Sequence, residues 1–333
     1  MTYASGQTIL DDDYNIFATG NAAGTGDNGT VNVNTLWGTG TGSYGYGQTS
    51  TVSPVSAGST ITATQWSTLL SRITSLANHQ GSTISAITTP TVGATIAAEA
   101  QLQSNLNTVW NSRQNAAANG TDSSANTVTT GTWDVRAQTT KTITFASANQ
   151  LRYFFNAGGH IRMSFSLTGT SGDAKSLEWA DTLTKCGTIV VTGSGDTKTI
   201  AAVSYAGTTK IGGGYFPDTL ASTTGAFDYT STPVTIFKQF SDTYTYSTNY
   251  VQINASISGN VISFAVTLED AAFDFIPSSG AGGSPDPGGS IAALDVVDGT
   301  LTMTTTIRPP STTYISATWG SVTQNTASWT LTS

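Results

Sequence analysis

Apolar residues along this chain follow two rhythms, and the rhythm changes once. Trp66, Leu69, Leu70, Ile73, Leu76 and Ala77 recur at three- and four-residue intervals, the stripe of an amphipathic helix. Thr62 followed three positions later by Gln65 is a capping-box pattern at its start, and Gly81 is a stop signal at its end. A second helix is expected from near Thr95, with Ile96, Glu99, Leu102, Leu106, Val109, Trp110 and Arg113 on one face. Pro90 and Gly93 sit in the short link, so the pair reads as an antiparallel helical hairpin. Upstream, Asp11-Asp12-Asp13 before Tyr14-Asn15-Ile16-Phe17 marks a short helix start, because acidic groups favour the positive end of the helix dipole.

From about residue 127 the period falls to two. Alternating runs at Thr127–Ala137, Lys141–Ala146, Leu151–Phe155, Ile161–Leu167, Thr188–Thr192 and Thr197–Tyr205 predict strands. Val234–Phe240, Tyr250–Ser258, Asn260–Leu268, Leu301–Ile307 and Ser328–Thr332 continue the series. Ser258-Gly259-Asn260 is a hairpin turn signal. One helix interrupts the strands at Asp173–Lys185, with Leu177, Trp179, Ala180 and Leu183. Residues Ala116–Asn126 have linker composition, which divides the chain into 1–120 and 127–333. The expected fold is mainly β with an N-terminal α-helical hairpin; the C-terminal domain is an antiparallel β-sandwich, jelly-roll-like. Gly20–Gly29, Gly38–Gly47 and Pro277–Ser290 read as loops.

A two-helix hairpin covers little of its own apolar stripe. The N-terminal loops, the downstream domain or another subunit must cover it, and a neighbouring chain is the favoured cover. Tyr14, Tyr44, Tyr46, Trp66, Leu70, Ile73, Leu102, Leu106 and Trp110 are therefore the expected assembly contacts. The run Tyr44-Gly45-Tyr46-Gly47-Gln48 pairs rings with pliable backbone, which suits a segment laid along another surface or an ordinary packed loop.

Charge narrows the functional classes. Only 10% of the 333 residues are Asp, Glu, Lys or Arg, against about a quarter in an ordinary soluble domain. Twelve Lys and Arg cannot build a phosphate-tracking groove, and a net charge of −8 disfavours anionic membranes, so neither nucleic acid nor membrane insertion is expected. No apolar run is long enough to span a bilayer, and Met1–Gly6 lacks a secretory pattern, so assembly in a host cytoplasm is expected.

Candidate chemistry is thin. Cys186 reads as a small buried hydrophobe at the start of the 188–192 strand. His79 ends the first helix, where an imidazolium suits the dipole, and His160 lies at a turn. Two histidines exclude a three-His zinc site within the chain. Glu178 with Asp181, and Glu269-Asp270 with Asp274, are carboxylate groupings that glycosidase chemistry could use and that solvated charge explains better. Asp11-Asp12-Asp13 and Asp27-Asn28-Gly29 are oxygen-rich but lack EF-hand spacing. Tyr229, Tyr244, Tyr246 and Tyr250 could stack on sugars, or serve a core or a subunit interface. No catalytic residue, cofactor or metal is expected.

Several segments carry a resemblance. Tyr3-Ala4-Ser5-Gly6-Gln7-Thr8-Ile9 with Asp13-Tyr14-Asn15, then Tyr46-Gly47-Gln48 and Ala63-Thr64-Gln65-Trp66, are similar to a group of tailed-phage virion proteins, seen most in marine and cyanobacterial phages. Asn149–Arg162 (Asn-Gln-Leu-Arg-Tyr-Phe-Phe-Asn-Ala-Gly-Gly-His-Ile-Arg) and the Trp179 helix extend the resemblance to about residue 190. It implies a structural protein of the tail, neck or fibre, with other virion proteins as partners and the virion as its location. Identical subunits favour closed symmetry, so a homo-oligomer is expected, a trimer first. The alternative is a host-recognition adhesin or carbohydrate-binding module that contacts host surface polysaccharide.

Overall fold

A computed structural model describes residues 11–20, 31–89, 99–271 and 296–332. The chain is mainly β, with antiparallel sheets and a few helices. The helices are α1 (Asp11–Ala18), α2 (Val33–Trp37), α3 (Ala63–Gln80), α4 (Glu99–Asn111), α5 (Ala148–Asn156) and α6 (Ala174–Cys186). The strands are β1 (Asn126–Thr130), β2 (Arg136–Phe145), β3 (His160–Thr168), β4 (Thr188–Val191), β5 (Thr197–Ile200), β6 (Val203–Ala206) and β7 (Thr208–Ile211). They continue as β8 (Thr219–Leu220), β9 (Val234–Phe240), β10 (Tyr250–Ser258), β11 (Val261–Glu269), β12 (Thr300–Arg308), β13 (Val322–Gln324) and β14 (Thr330–Thr332).

The strands form a five-stranded sheet, β1-β12-β3-β4-β7, and a seven-stranded sheet, β13-β2-β11-β10-β9-β8, with β14 also on β2; β5 and β6 pair separately. Strict alternation builds the inner faces. Ile161, Met163, Phe165 and Leu167 of β3 face inward with Leu301, Met303 and Ile307 of β12. Val251, Ile253 and Ala255 of β10 do the same with Ile262, Phe264, Val266 and Leu268 of β11. Helix α6 packs on β3 and reaches β9, while α5 rests on β2. Lys175 of α6 and Asp270, just past β11, form an ion pair at 2.5 Å with both side chains 1% exposed, which ties α6 to the seven-stranded sheet.

The helix α3 follows its sequence signals. Thr62 and Gln65 form the capping box, and Gly81 closes the helix at φ 72°, a left-handed conformation that glycine adopts without steric cost. For α6, Asp173 accepts from the Ser176 N–H at 2.7 Å, and Cys186 ends the helix rather than starting the next strand. Helices α3 and α4 pack together, and Asn105 of α4 pairs with the backbone of Ser85. Thr95, Ile96, Pro90, Gly93, Asp274, the loop Pro277–Ser290, Asp27-Asn28-Gly29 and the Tyr3–Ile9 motif lie outside the described residues.

Three readings are corrected. Leu151–Phe155 is helix α5, not a strand. Leu151, Phe154 and Phe155 repeat at three- and four-residue intervals, and Ser147 caps the helix by accepting from the Gln150 N–H at 3.2 Å. Thr127–Ala137 is two strands, broken where Trp133 turns inward, exchanges backbone bonds with Val297 and meets the Trp179 ring at 4.8 Å. Thr197–Tyr205 is a hairpin turned by Ala201 and Ala202, both at positive φ. The short α2 and the strands β7, β8 and β13 had no strong pattern in the sequence.

The expected linker is also tied down. Ala116 bridges Ile200, the Ala117 N–H bonds the His79 carbonyl at 2.7 Å, and the Gly120 N–H bonds the Pro309 carbonyl at 2.8 Å. Side chains of α1 to α4 and of both sheets belong to one continuous hydrophobic cluster.

Candidate functional site

The residues expected to meet another subunit lie mostly inside this one. Tyr14, Tyr46, Trp66, Leu70, Ile73, Leu102 and Leu106 are buried, and Tyr44 and Trp110 are half-buried with their rings 5.2 Å apart. The chain therefore covers its own helical stripe, and those seven side chains offer nothing to a neighbour. What covers them is the Gly-rich N-terminal segment and the β-region together. The Tyr46 hydroxyl donates to the Arg113 carbonyl at 2.8 Å and accepts from Gln80 at 3.0 Å. Gln48 donates to the Ser316 carbonyl at 2.9 Å and accepts the Ser316 N–H at 2.8 Å.

Segments that carry the sequence resemblance meet here. Arg152 of α5 donates to the Tyr44 carbonyl at 2.7 Å, and Asn156 donates to the carbonyls of Gly42 and Gly45 at 3.2 Å. Gly47, at φ 70°, lies against the Tyr153 ring so closely that a Cβ there would press into it. Of the two readings of the Tyr44–Gln48 run, the structure has the packed loop, held against α5 and the end of α3 of the same chain.

The titratable groups are occupied. His79 is 2% exposed, its Nε2 is 3.0 Å from the Ala157 carbonyl, and burial lowers its pKa to about 4. It is a neutral ring, not the imidazolium expected at a helix end, because desolvation outweighs the dipole. His160, 0% exposed against Tyr205, is likewise lowered to about 4 by burial. Burial pushes the Cys186 thiol up to about 12, which leaves no thiolate for nucleophilic work.

Both members of the Glu269-Asp270 grouping are paired as well. Glu269 takes a two-pronged bond from Arg136, and Asp270 holds Lys175. Asp11, Asp12 and Asp13 make the first turn of α1. Carboxylate oxygens of Glu178, Asp181 and Asp242 converge within 4.8 Å of one another. Ser241 and Thr243 donate to Glu178, while the Lys185 ammonium bonds both Asp181 and Asp242. Those bonds, with Asp181 first, hold Lys185 above the usual lysine range. This cluster brings its own cation.

Exposure concentrates elsewhere. Phe216 is 91% and Tyr244 95% exposed, far above the next large apolar side chain among the described residues, Leu177 at 52%. Both rings stand on loops braced by the end of α6. The loop of Phe216 runs against the Lys185 carbonyl at Gly213, and the loop of Tyr244 is held by Asp242 and Thr243. Tyr215, at 40% exposure, is fixed beside Phe216 because Lys210 donates to its carbonyl. Of the tyrosines considered for sugar stacking, Tyr229 is buried, Tyr246 and Tyr250 are half-buried, and Lys238 sits 4.0 Å from the Tyr250 ring. Sequence reasoning named Tyr244 for another purpose and missed Phe216, because nothing in a local pattern marks a ring as uncovered.

Among the described residues no helix is long and apolar enough to cross a membrane. No protein family, curated protein or solved structure matches the chain.

Proposed function

We propose that this chain is a non-enzymatic structural protein of a tailed-phage particle, a component of the tail, neck or fibre that associates with copies of itself and with other virion proteins. The observation that carries the reading is the aromatic end formed by Phe216 and Tyr244. Large rings held almost wholly in water on braced loops cost solvation free energy unless a partner covers them, and buried aromatics anchor most protein interfaces. The meeting of Tyr44–Gln48 with α5, the segments similar to phage virion proteins, supports the particle assignment. Identical subunits favour closed symmetry, and the trimer expected from the sequence is the arrangement to test first.

The finer fold belongs to the same proposal. The chain crosses repeatedly between the two sheets, at β1 to β2, β2 to β3, β7 to β8, β11 to β12 and β12 to β13, which supports an antiparallel, jelly-roll-like sandwich. The packing of α3 on α4 supports an N-terminal helical hairpin.

Sedimentation of the wild type and of a Phe216→Ser/Tyr244→Ser variant tests the assembly. The wild type is expected to run as a closed oligomer, and the variant as a 34.3 kDa monomer with unchanged melting. A wild type that stays monomeric at all concentrations and does not join particles overturns the reading.

A further inference from the structure

On the outer face of the seven-stranded sheet, the edge of β2 is paired twice. β13 pairs with it at Ile143–Phe145 and β14 at Arg136–Gln138. Between them residues 325–329 leave the strand ladder and arch along the β2 edge, and with β2 and β11 they border a groove of about 500 Å³. That volume lies in the range of small-molecule sites, roughly 300–1,000 Å³. Gln138 and Thr140 of β2, Ala265 and Thr267 of β11, Ser328 of the arch and Thr330 of β14 line it.

We propose that this groove binds a neutral saccharide chain. Its lining contains no Asp, Glu, Lys, Arg or His. Arg136 and Glu269, two positions along the same strands, are paired with each other, so an anionic or cationic ligand would gain no counter-charge from the lining, whereas hydroxyls and amides offer both donors and acceptors to an uncharged polyol. Gln138 donates to the Thr267 hydroxyl at 3.2 Å, which orients a donor–acceptor pair across β2 and β11. Ala265 and Ala327 leave small apolar patches in the lining, suited to the C–H faces of a pyranose.

A peptide strand is the competing occupant, and the backbone it would pair with is taken. The Thr142 N–H bonds Asn325 Oδ1 at 2.8 Å, the Thr142 carbonyl accepts the Asn325 N–H at 3.1 Å, and the Thr140 carbonyl accepts Asn325 Nδ2 at 3.1 Å. Strand addition needs those groups unpaired. The arch is itself anchored, since Thr139 donates to the Ser328 carbonyl at 2.8 Å and Trp329 to the Val128 carbonyl at 3.0 Å. The groove is thus built before any ligand arrives. The inference does not depend on the assembly reading, because Phe216 and Tyr244 lie on other elements.

Affinity electrophoresis of the full chain in gels containing dextran, mannan, galactan or amylose, with alginate as the anionic comparison, tests it. Retardation by at least one neutral polymer and none by alginate is expected. Gln138→Ala/Thr267→Ala is expected to weaken that binding at least tenfold, and Ala265→Trp, which fills the groove without removing a polar group, to abolish it. Thr267→Arg, on the solvent side of β11, serves if Ala265→Trp does not fold. No retardation by any neutral polymer overturns the proposal. So does equal retardation by alginate, or binding that survives both the alanine pair and the groove-filling variant.

Discussion

Asn15, Asn34, Asn105 and Asn325 each turn a side-chain amide toward a stretch of backbone and pair with it as a neighbouring strand would. Asn15 donates to the Val55 carbonyl and accepts the Val55 N–H, both at 2.8 Å, and Asn34 does the same at Val52. Amides can do this because they donate and accept at once, which no charged side chain does. The scarcity of charge and the wealth of Asn, Gln and Thr thus have an internal use. Asn15→Asp keeps the shape and replaces the donor with an ionised acceptor facing a carbonyl. Urea unfolding is expected to show a loss of about 1–3 kcal/mol. The histidines give a second prediction at this scale. Both are held neutral down to about 4, whereas an unfolded histidine titrates near 6.5. The folded state therefore binds fewer protons in that window. This contribution to stability is fully present above pH 6.5 and is lost as pH falls toward 4, by roughly 3 kcal/mol for each ring. Denaturant midpoints measured across the window check the slope, and His79→Gln is expected to remove about half of it.

At the scale of elements, the ion pair of Lys175 with Asp270 ties α6, which packs on β3, to the seven-stranded sheet. Removing one charge of a buried pair costs about 3–5 kcal/mol, because the other charge keeps its desolvation penalty. Asp270→Asn is accordingly expected to lower the urea midpoint sharply, and a change under about 1 kcal/mol would show that the pair is not what fixes the helix. The elements legible in the sequence are those with local causes. β10 has the bounds its alternation gave, Tyr250–Ser258, and α3 starts and stops at its caps. Helix α5 was hidden because Tyr153-Phe154-Phe155 interrupts the polar positions of its pattern, so a dense aromatic run resembles a strand. Its cap Ser147 and the 151, 154, 155 spacing were the available signals. The interface residues went astray for a different reason. A stripe shows that a face must be covered, and only the distant partners at Gln48, Ser316 and α5 show by what.

For the whole molecule, the boundary near residue 120 does not separate two cores. The cluster around Trp66, Leu106, Phe145 and Phe154 runs through both regions. A fragment of residues 127–333 is therefore expected to expose that shared face, bind a hydrophobic dye and melt well below the full chain. A fragment that melts cooperatively at the parent temperature would show that the β-region stands alone. The two outward surfaces, the aromatic end beside α6 and the uncharged groove on β2, are separate, so assembly and ligand contact can each be removed while the other is measured.

Gln48 and Ser316 exchange two hydrogen bonds across 268 positions of chain, and that distance has a consequence for synthesis. At about 5–20 residues per second, the early segment waits on the order of tens of seconds for its partner to leave the ribosome. Until then the Tyr44–Gln48 run and the α3 stripe have only the cover that the other N-terminal helices give them. Such long-range closure slows folding through its loop entropy. The Gln48–Ser316 contact can therefore form only after most of the chain has been made.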